Sequence, residues 1–179
     1  MTTPSDSPRV ARHKALFVLF DLNRDGALDV SDFATIEERC ARFQPGAAPG
    51  FEEIAYAARL RLTQFRKADV NADQRVTEAE WLAWCAKEYQ GTALSAEGEA
   101  FARNLFRTLD VNRDNALDLG DYAYAHLAHG LDPSVSKLEA AFSALDANHS
   151  GKVSLAEFLK VFARYVASDE GDVPALLVA

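Results

Sequence analysis

Residues Asp21 to Asp32 read DLNRDGALDVSD, a segment in which oxygen-bearing side chains alternate with other residues around one glycine. The same twelve-residue pattern returns as DVNADQRVTEAE from Asp69 to Glu80, DVNRDNALDLGD from Asp110 to Asp121 and DANHSGKVSLAE from Asp146 to Glu157. The starts lie 48, 41 and 36 residues apart, enough for two helices between neighbours. The flanks repeat as well. A phenylalanine stands four residues before each segment, at Phe17, Phe65, Phe106 and Phe142. An aromatic follows each one, at Phe33, Trp81, Tyr122 and Phe158. The eighth position is aliphatic throughout, at Leu28, Val76, Leu117 and Val153. Fixed-period self-similarity of this kind marks a repeat architecture. The aromatics predict an apolar face on an incoming and an outgoing helix. The aliphatic eighth residue predicts a short antiparallel strand contact between neighbouring loops.

Within each segment oxygen donors fall at positions 1, 3, 5, 9 and 12. They are Asp21, Asn23, Asp25, Asp29 and Asp32 in the first; Asp69, Asn71, Asp73, Thr77 and Glu80 in the second. The third offers Asp110, Asn112, Asp114, Asp118 and Asp121, and the fourth Asp146, Asn148, Ser150, Ser154 and Glu157. Position 7 contributes a backbone carbonyl, from Ala27, Arg75, Ala116 and Lys152. Every donor is a hard oxygen, with no Cys or His in a ligand slot, which selects Ca2+ or Mg2+ over Zn2+ or copper. This is the EF-hand loop pattern.

The four loops differ in ways that matter to an ion. Position 6 wants a residue tolerant of positive φ; Gly26 and Gly151 satisfy this, Asn115 is next best, and Gln74 costs about 1 kcal/mol. Position 12 is Glu80 and Glu157 in the even loops, long enough for two-oxygen contact, but the shorter Asp32 and Asp121 in the odd ones. Those aspartates predict lower coordination and greater Mg2+ tolerance. The expected order for Ca2+ is the fourth and first loops, then the third, then the second, with three or four live sites.

Helical segments are predicted at about 8–20 with 30–43, 51–68 with 78–89, 97–109 with 119–129, and 133–145 with 155–167. Breaks fall at Pro45 to Gly50, around Gly91 to Gly98, and at Gly130-Leu131-Asp132-Pro133, where Gly130 stops one helix, Asp132 caps the next and Pro133 suits its first turn. The fold expected is all-α: four EF-hands in two pairs, 1–90 and 91–179, forming one compact globule with two-stranded loop–loop contacts.

The chain resembles the sarcoplasmic calcium-binding proteins and their bacterial relative calerythrin over nearly its full length. The resemblance rests on four hands in about 180 residues, on DxNxDGxLxxxDF from Asp21 to Phe33, on DVNRDNALDLGDY with Asn115 in the glycine slot, and on the apolar tail. It implies a compact four-hand globule, high-affinity Ca2+ binding with Mg2+ competition, and one or more silent loops. The plausible second loop departs from that silent-site pattern.

Composition narrows the rest. Lys and Arg total 19 against 27 Asp and Glu, a formal net charge of −8. That argues against duplex nucleic acid and anionic lipid as partners. Ligand acids account for 13 of the 27, so the charge is that of an empty cation store; four divalent ions would bring it to about zero. No run approaches the ~20 apolar residues of a membrane span, and no signal core is visible. Cys40 and Cys85 are read as reduced thiols of a cytoplasmic protein. His126 and His129, three apart on a helix, are read as core or surface histidines rather than a zinc clamp. No acid–base or nucleophile constellation points to an enzyme. The only methionine is Met1, which disfavours a flexible target groove and favours a monomeric buffer over a sensor that captures a protein target. The tail from Val173 to Ala179 is read as an internal plug for that groove.

Overall fold

The computed structural model describes residues 7–43, 63, 65–90, 93–171, 173 and 176. The helix expected over 51–68 falls largely outside these, as do the break at Pro45 to Gly50 and the side chain of Cys40. Among the described residues the chain forms seven helices and four two-residue strands: α1 Pro8–Phe20, β1 Ala27–Leu28, α2 Val30–Phe43, β2 Val76–Thr77, α3 Glu78–Glu88, α4 Ala96–Leu109, β3 Ala116–Leu117, α5 Leu119–Ala128, α6 Val135–Leu145, β4 Val153–Ser154 and α7 Leu155–Ala167.

Where a helix adjoins a loop, residues of the loop help to end it or to start it. The first loop residue is the C-cap of the incoming helix: Asp21, Asp110 and Asp146 each donate the backbone N–H to the phenylalanine four residues back, at 2.9, 2.9 and 3.0 Å. At these aspartates ψ swings to about 80° and the helix stops. After the second, third and fourth loops the outgoing helix starts on a capping box formed by positions 9 and 12. Thr77 with Glu80, Asp118 with Asp121, and Ser154 with Glu157 each exchange side chain-to-backbone hydrogen bonds. A capping residue of this kind stabilises a helix by about 1 kcal/mol. Two of the oxygen positions are thus also helix-start signals.

The strands pair antiparallel within each half. Leu28 lies opposite Val76 and Leu117 opposite Val153, as the aliphatic eighth position predicts. All four are buried.

One hydrophobic core joins the halves. Phe101 on α4 is its hub, with ring centroids 6.1 Å from Phe20, 5.9 Å from Phe65 and Trp81, 5.7 Å from Trp84 and 6.1 Å from Phe162. Helix α1 also grips the end of α7. The Arg12 guanidinium donates to the backbone oxygens of Tyr165 at 2.6 Å, Ser168, and Glu170 at 2.8 Å. His13 Nε2 lies 2.6 Å from Val166 O, and burial pushes its pKa down.

One boundary differs from the sequence reading. Gly130, at φ +71°, does end α5: its N–H reaches Leu127 O and the Leu131 N–H reaches His126 O. This is a Schellman closure. The next helix starts later than expected, however, with Ser134 rather than Asp132 at the N-cap and Pro133 outside the helix. Ser134 has the extended backbone of an N-cap, at φ −62° and ψ 150°, and makes no side-chain capping hydrogen bond.

Leu176, in the apolar tail, is buried in the core and Val173 packs against it. Leu176 lines a cavity of about 250 Å3 together with Leu16, Leu19 and Tyr165.

Candidate metal centre

Four loops carry the same internal wiring. The position 1 carboxylate accepts the N–H of position 5 on one oxygen and of position 6 on the other. For Asp21 these come from Asp25 at 3.1 Å and Gly26 at 3.0 Å; for Asp69 from Asp73 at 3.2 Å and Gln74 at 2.9 Å. Asp110 takes Asp114 at 3.2 Å and Asn115 at 3.0 Å, and Asp146 takes Ser150 and Gly151 at 3.0 and 2.8 Å. The position 3 amide oxygen, on Asn23, Asn71, Asn112 and Asn148, accepts the position 5 N–H at 2.9 Å in all four. This is an Asx-turn, a local side-chain bond that holds a tight turn. It brackets position 4.

Position 4 is where sequence reasoning missed a feature. Arg24, Ala72, Arg113 and His149 all have φ between 56° and 60°. No residue type in that column announces it; the flanking Asn is the signal. Position 6 follows the expectation, with Gly26 at +85°, Gln74 at +70°, Asn115 at +65° and Gly151 at +82°. Gln74 therefore adopts the same turn as the glycines, and the second loop keeps the shape of the others.

Position 12 divides the loops into two kinds. Asp32 is 1 % exposed and Asp121 4 %. Their oxygens accept backbone N–H groups: Asp32 from Leu22 at 2.8 Å and Asp29 at 2.9 Å, Asp121 from Val111 and Asp118 at 3.1 Å. Burial outweighs those bonds and raises both carboxyl pKa values. Glu80 and Glu157 instead accept from the capping residue, from Thr77 N–H and hydroxyl at 2.9 and 2.8 Å and from Ser154 at 2.9 and 2.7 Å. Those bonds favour the charged form and lower both pKa values.

Whether the loops fit a divalent cation is decided by what these oxygens lack. Glu157 Oε1 is buried with no hydrogen-bond partner, while Oε2 holds Ser154. A buried carboxylate oxygen with no donor costs free energy unless a cation meets it. The position 1 carboxylates use two of about four acceptor sites each on backbone N–H, so lone pairs remain for an ion. The donor set is all oxygen, which fits Ca2+ or Mg2+. Among the described residues no three His, Cys, Asp or Glu side chains converge on one point. The loop acids are instead spread over backbone N–H groups and, for three of them, over two basic side chains.

Those basic side chains come from the neighbouring loop. Arg75, in loop 2, places Nη2 3.0 Å from Asp25 Oδ2 and Nε 3.4 Å from Asp29 Oδ2 in loop 1. Lys152, in loop 4, pairs through Nζ with Asp114 Oδ2 in loop 3, and that hydrogen bond holds the Asp114 carboxyl below its usual range. Position 7 was read as a backbone donor alone, so these contacts are additions to the sequence reading.

The rejected candidates behave as core residues. His126 Nδ1 lies 2.7 Å from Tyr122 O and His129 Nδ1 2.8 Å from Ala125 O, both buried. Cys85 is a free, buried thiol whose pKa is raised by burial.

An EF-hand domain-pair family model matches residues 99–163, and an EF-hand model matches residues 14–36. The chain is an EF-hand protein. The sarcoplasmic calcium-binding protein beta chain of Penaeus sp. is 25 % identical over 164 residues, 85 % of this chain and 84 % of that one. Among solved structures, the calcium-loaded apo form of the coelenterazine-binding protein from Renilla muelleri aligns with a TM-score of 0.71 at 22 % identity, covering 94 % of this chain and 93 % of that one. A Streptomyces coelicolor calcium-binding protein, described in connection with prokaryotic calcium-mediated regulation, aligns at 0.65 with 26 % identity, covering 93 % and 99 %. Within the EF-hand proteins, the chain is similar over most of its length to the sarcoplasmic calcium-binding proteins.

Proposed function

We propose that this chain is a high-affinity Ca2+/Mg2+ buffer of the cytoplasm, a monomer without catalytic activity, whose paired hands lie in 1–90 and 91–179. The ions are held in three or four loops by the side chains at positions 1, 3, 5, 9 and 12 and the position 7 carbonyl. The even loops supply a two-oxygen glutamate; the odd loops close on a shorter, buried aspartate and accept Mg2+ more readily. The observation that carries the buffer reading is the core. The surfaces that a sensor opens to a target are here occupied by stiff aromatics around Phe101 and by the chain's own Leu176. Flexible, Met-lined surfaces suit target capture, and the one methionine is Met1. Among the described residues no helix is long and apolar enough to cross a membrane.

A calorimetric Ca2+ titration with and without millimolar Mg2+ tests this. Three or four binding events, weakened by Mg2+, are expected; fewer than two would defeat the assignment. A second reading, a calcium sensor for a protein target, is favoured by the likeness to the Streptomyces protein. The tail separates the two. Deleting residues 172–179 removes the Leu176 wedge and is expected to raise the fluorescence of a hydrophobic dye in the Ca2+-loaded protein several-fold. An intact protein that already binds the dye strongly, and only with Ca2+, favours the sensor. No change on deletion means that the tail plugs nothing.

A further inference from the structure

In both pairs of loops the even member sends a basic side chain into the odd member's ligand set. Arg75 and Lys152 occupy the same slot, position 7, and reach the same acceptor, Oδ2 of the position 5 aspartate. The other oxygen of that aspartate is already engaged: Asp25 Oδ1 accepts Ala27 N–H at 3.1 Å and Asp114 Oδ1 accepts Ala116 N–H at 3.0 Å. The basic group therefore sits on the oxygen left for an ion. Arg75 goes further and also contacts Asp29 at position 9. The traffic is one-way, because the odd loops carry Ala27 and Ala116 at position 7, too short to reply. The antiparallel register of β1 with β2 and β3 with β4 fixes this placement, since residues 75 and 152 immediately precede strands β2 and β4.

We propose that Arg75 and Lys152 are tethered counter-cations that compete with divalent ions for loops 1 and 3, respectively. This rests on the calcium-binding assignment and adds a regulatory part to it. In the metal-free protein each arm offsets the repulsion among its neighbour's acids, four in loop 1 and four in loop 3. An arriving ion must displace the arm and meets its positive charge. The arm belongs to the even loop's own position 7 residue, whose carbonyl is a donor there, so occupancy of one loop and access to the next meet in a single residue. Affinity in loops 1 and 3 is set below what their donors alone would give.

The test is Arg75→Gln, which keeps the position 7 carbonyl and removes the charge, beside Arg75→Lys, which keeps both. Ca2+ and Mg2+ titrations are followed through the Gly26 amide resonance, which reports loop 1. Arg75→Gln is expected to tighten both ions in loop 1 by roughly three- to tenfold at low salt, with a smaller gain at high salt, as fits a partly exposed ion pair. Arg75→Lys should stay near the unsubstituted protein. Lys152→Gln should do the same for loop 3, read at Asn115. Unchanged or weaker binding in Arg75→Gln would overturn the competition, even with Ca2+ bound normally elsewhere. No Ca2+ binding by the unsubstituted protein would overturn the calcium assignment instead.

Discussion

Replacing Trp81 by alanine is expected to destabilise the metal-free protein by about 3–5 kcal/mol, the usual cost of a buried tryptophan truncated to a methyl group. Trp81 is fully buried, stacks on Trp84 at 5.4 Å and meets Phe65 and Phe101 edge-on or tilted at 5.8 and 5.9 Å. Its indole Nε1 donates to His13 O on α1 at 2.8 Å, so the loss includes a buried hydrogen bond. In a chain of this size that corresponds to a fall in Tm of about 6–20 °C, at about 2–4 °C per kcal/mol. Trp81→Phe keeps the ring and loses the donor, and about 1–3 kcal/mol is expected. Urea unfolding of the three proteins in chelator measures both. Equal stability of all three would mean that α1 and α3 are not joined through this side chain.

Glu157→Gln should leave the fold alone and disable the fourth loop. Glutamine at the third helical position still completes a capping box, so α7 can begin as before. What disappears is the charge on a carboxylate whose Oε1 is buried without a partner. Supporting groups around a metal are worth about 10–100-fold in affinity, and a charged ligand should exceed them. We expect Ca2+ affinity in loop 4 to fall by on the order of 100-fold or more. The metal-free Tm should move by no more than about 4 °C, as expected of a substitution costing under about 1 kcal/mol. Calorimetry then shows one event fewer in the micromolar range. An unchanged isotherm would remove Glu157 from the ligand set.

These expectations draw on parts of the molecule that the sequence announced unequally. The helix–loop–helix order was legible because three columns of apolar residues repeat in step with the acids. Leu28 opposite Val76 and Leu117 opposite Val153 follow from that column alone. The left-handed position 4 was not legible, since Arg and Ala, which fill three of the four positions, carry no bias toward it; the turn is imposed by the Asn one residue earlier. The start of α6 was misplaced because Asp132-Pro133 reads as cap and first turn, while Ser134 provides the later N-cap. The crossing of Arg75 and Lys152 into the neighbouring loop was hidden for another reason. It depends on strand register between segments about forty residues apart, and local pattern is silent on which loop a long side chain will face.

Phe101 has one further consequence. It lies on α4, yet among the described residues four of its five ring neighbours are Phe20, Phe65, Trp81 and Trp84, from the first pair of hands. With its rings shared in this way, neither pair owns a complete core, and the chain should lose its structure in one cooperative thermal transition rather than two. An ion that binds only the folded state stabilises whatever unfolds with it. Occupancy of loop 4 therefore protects α1 as much as it protects α7, and the rate at which a protease cuts the first half becomes a readout of calcium held in the second.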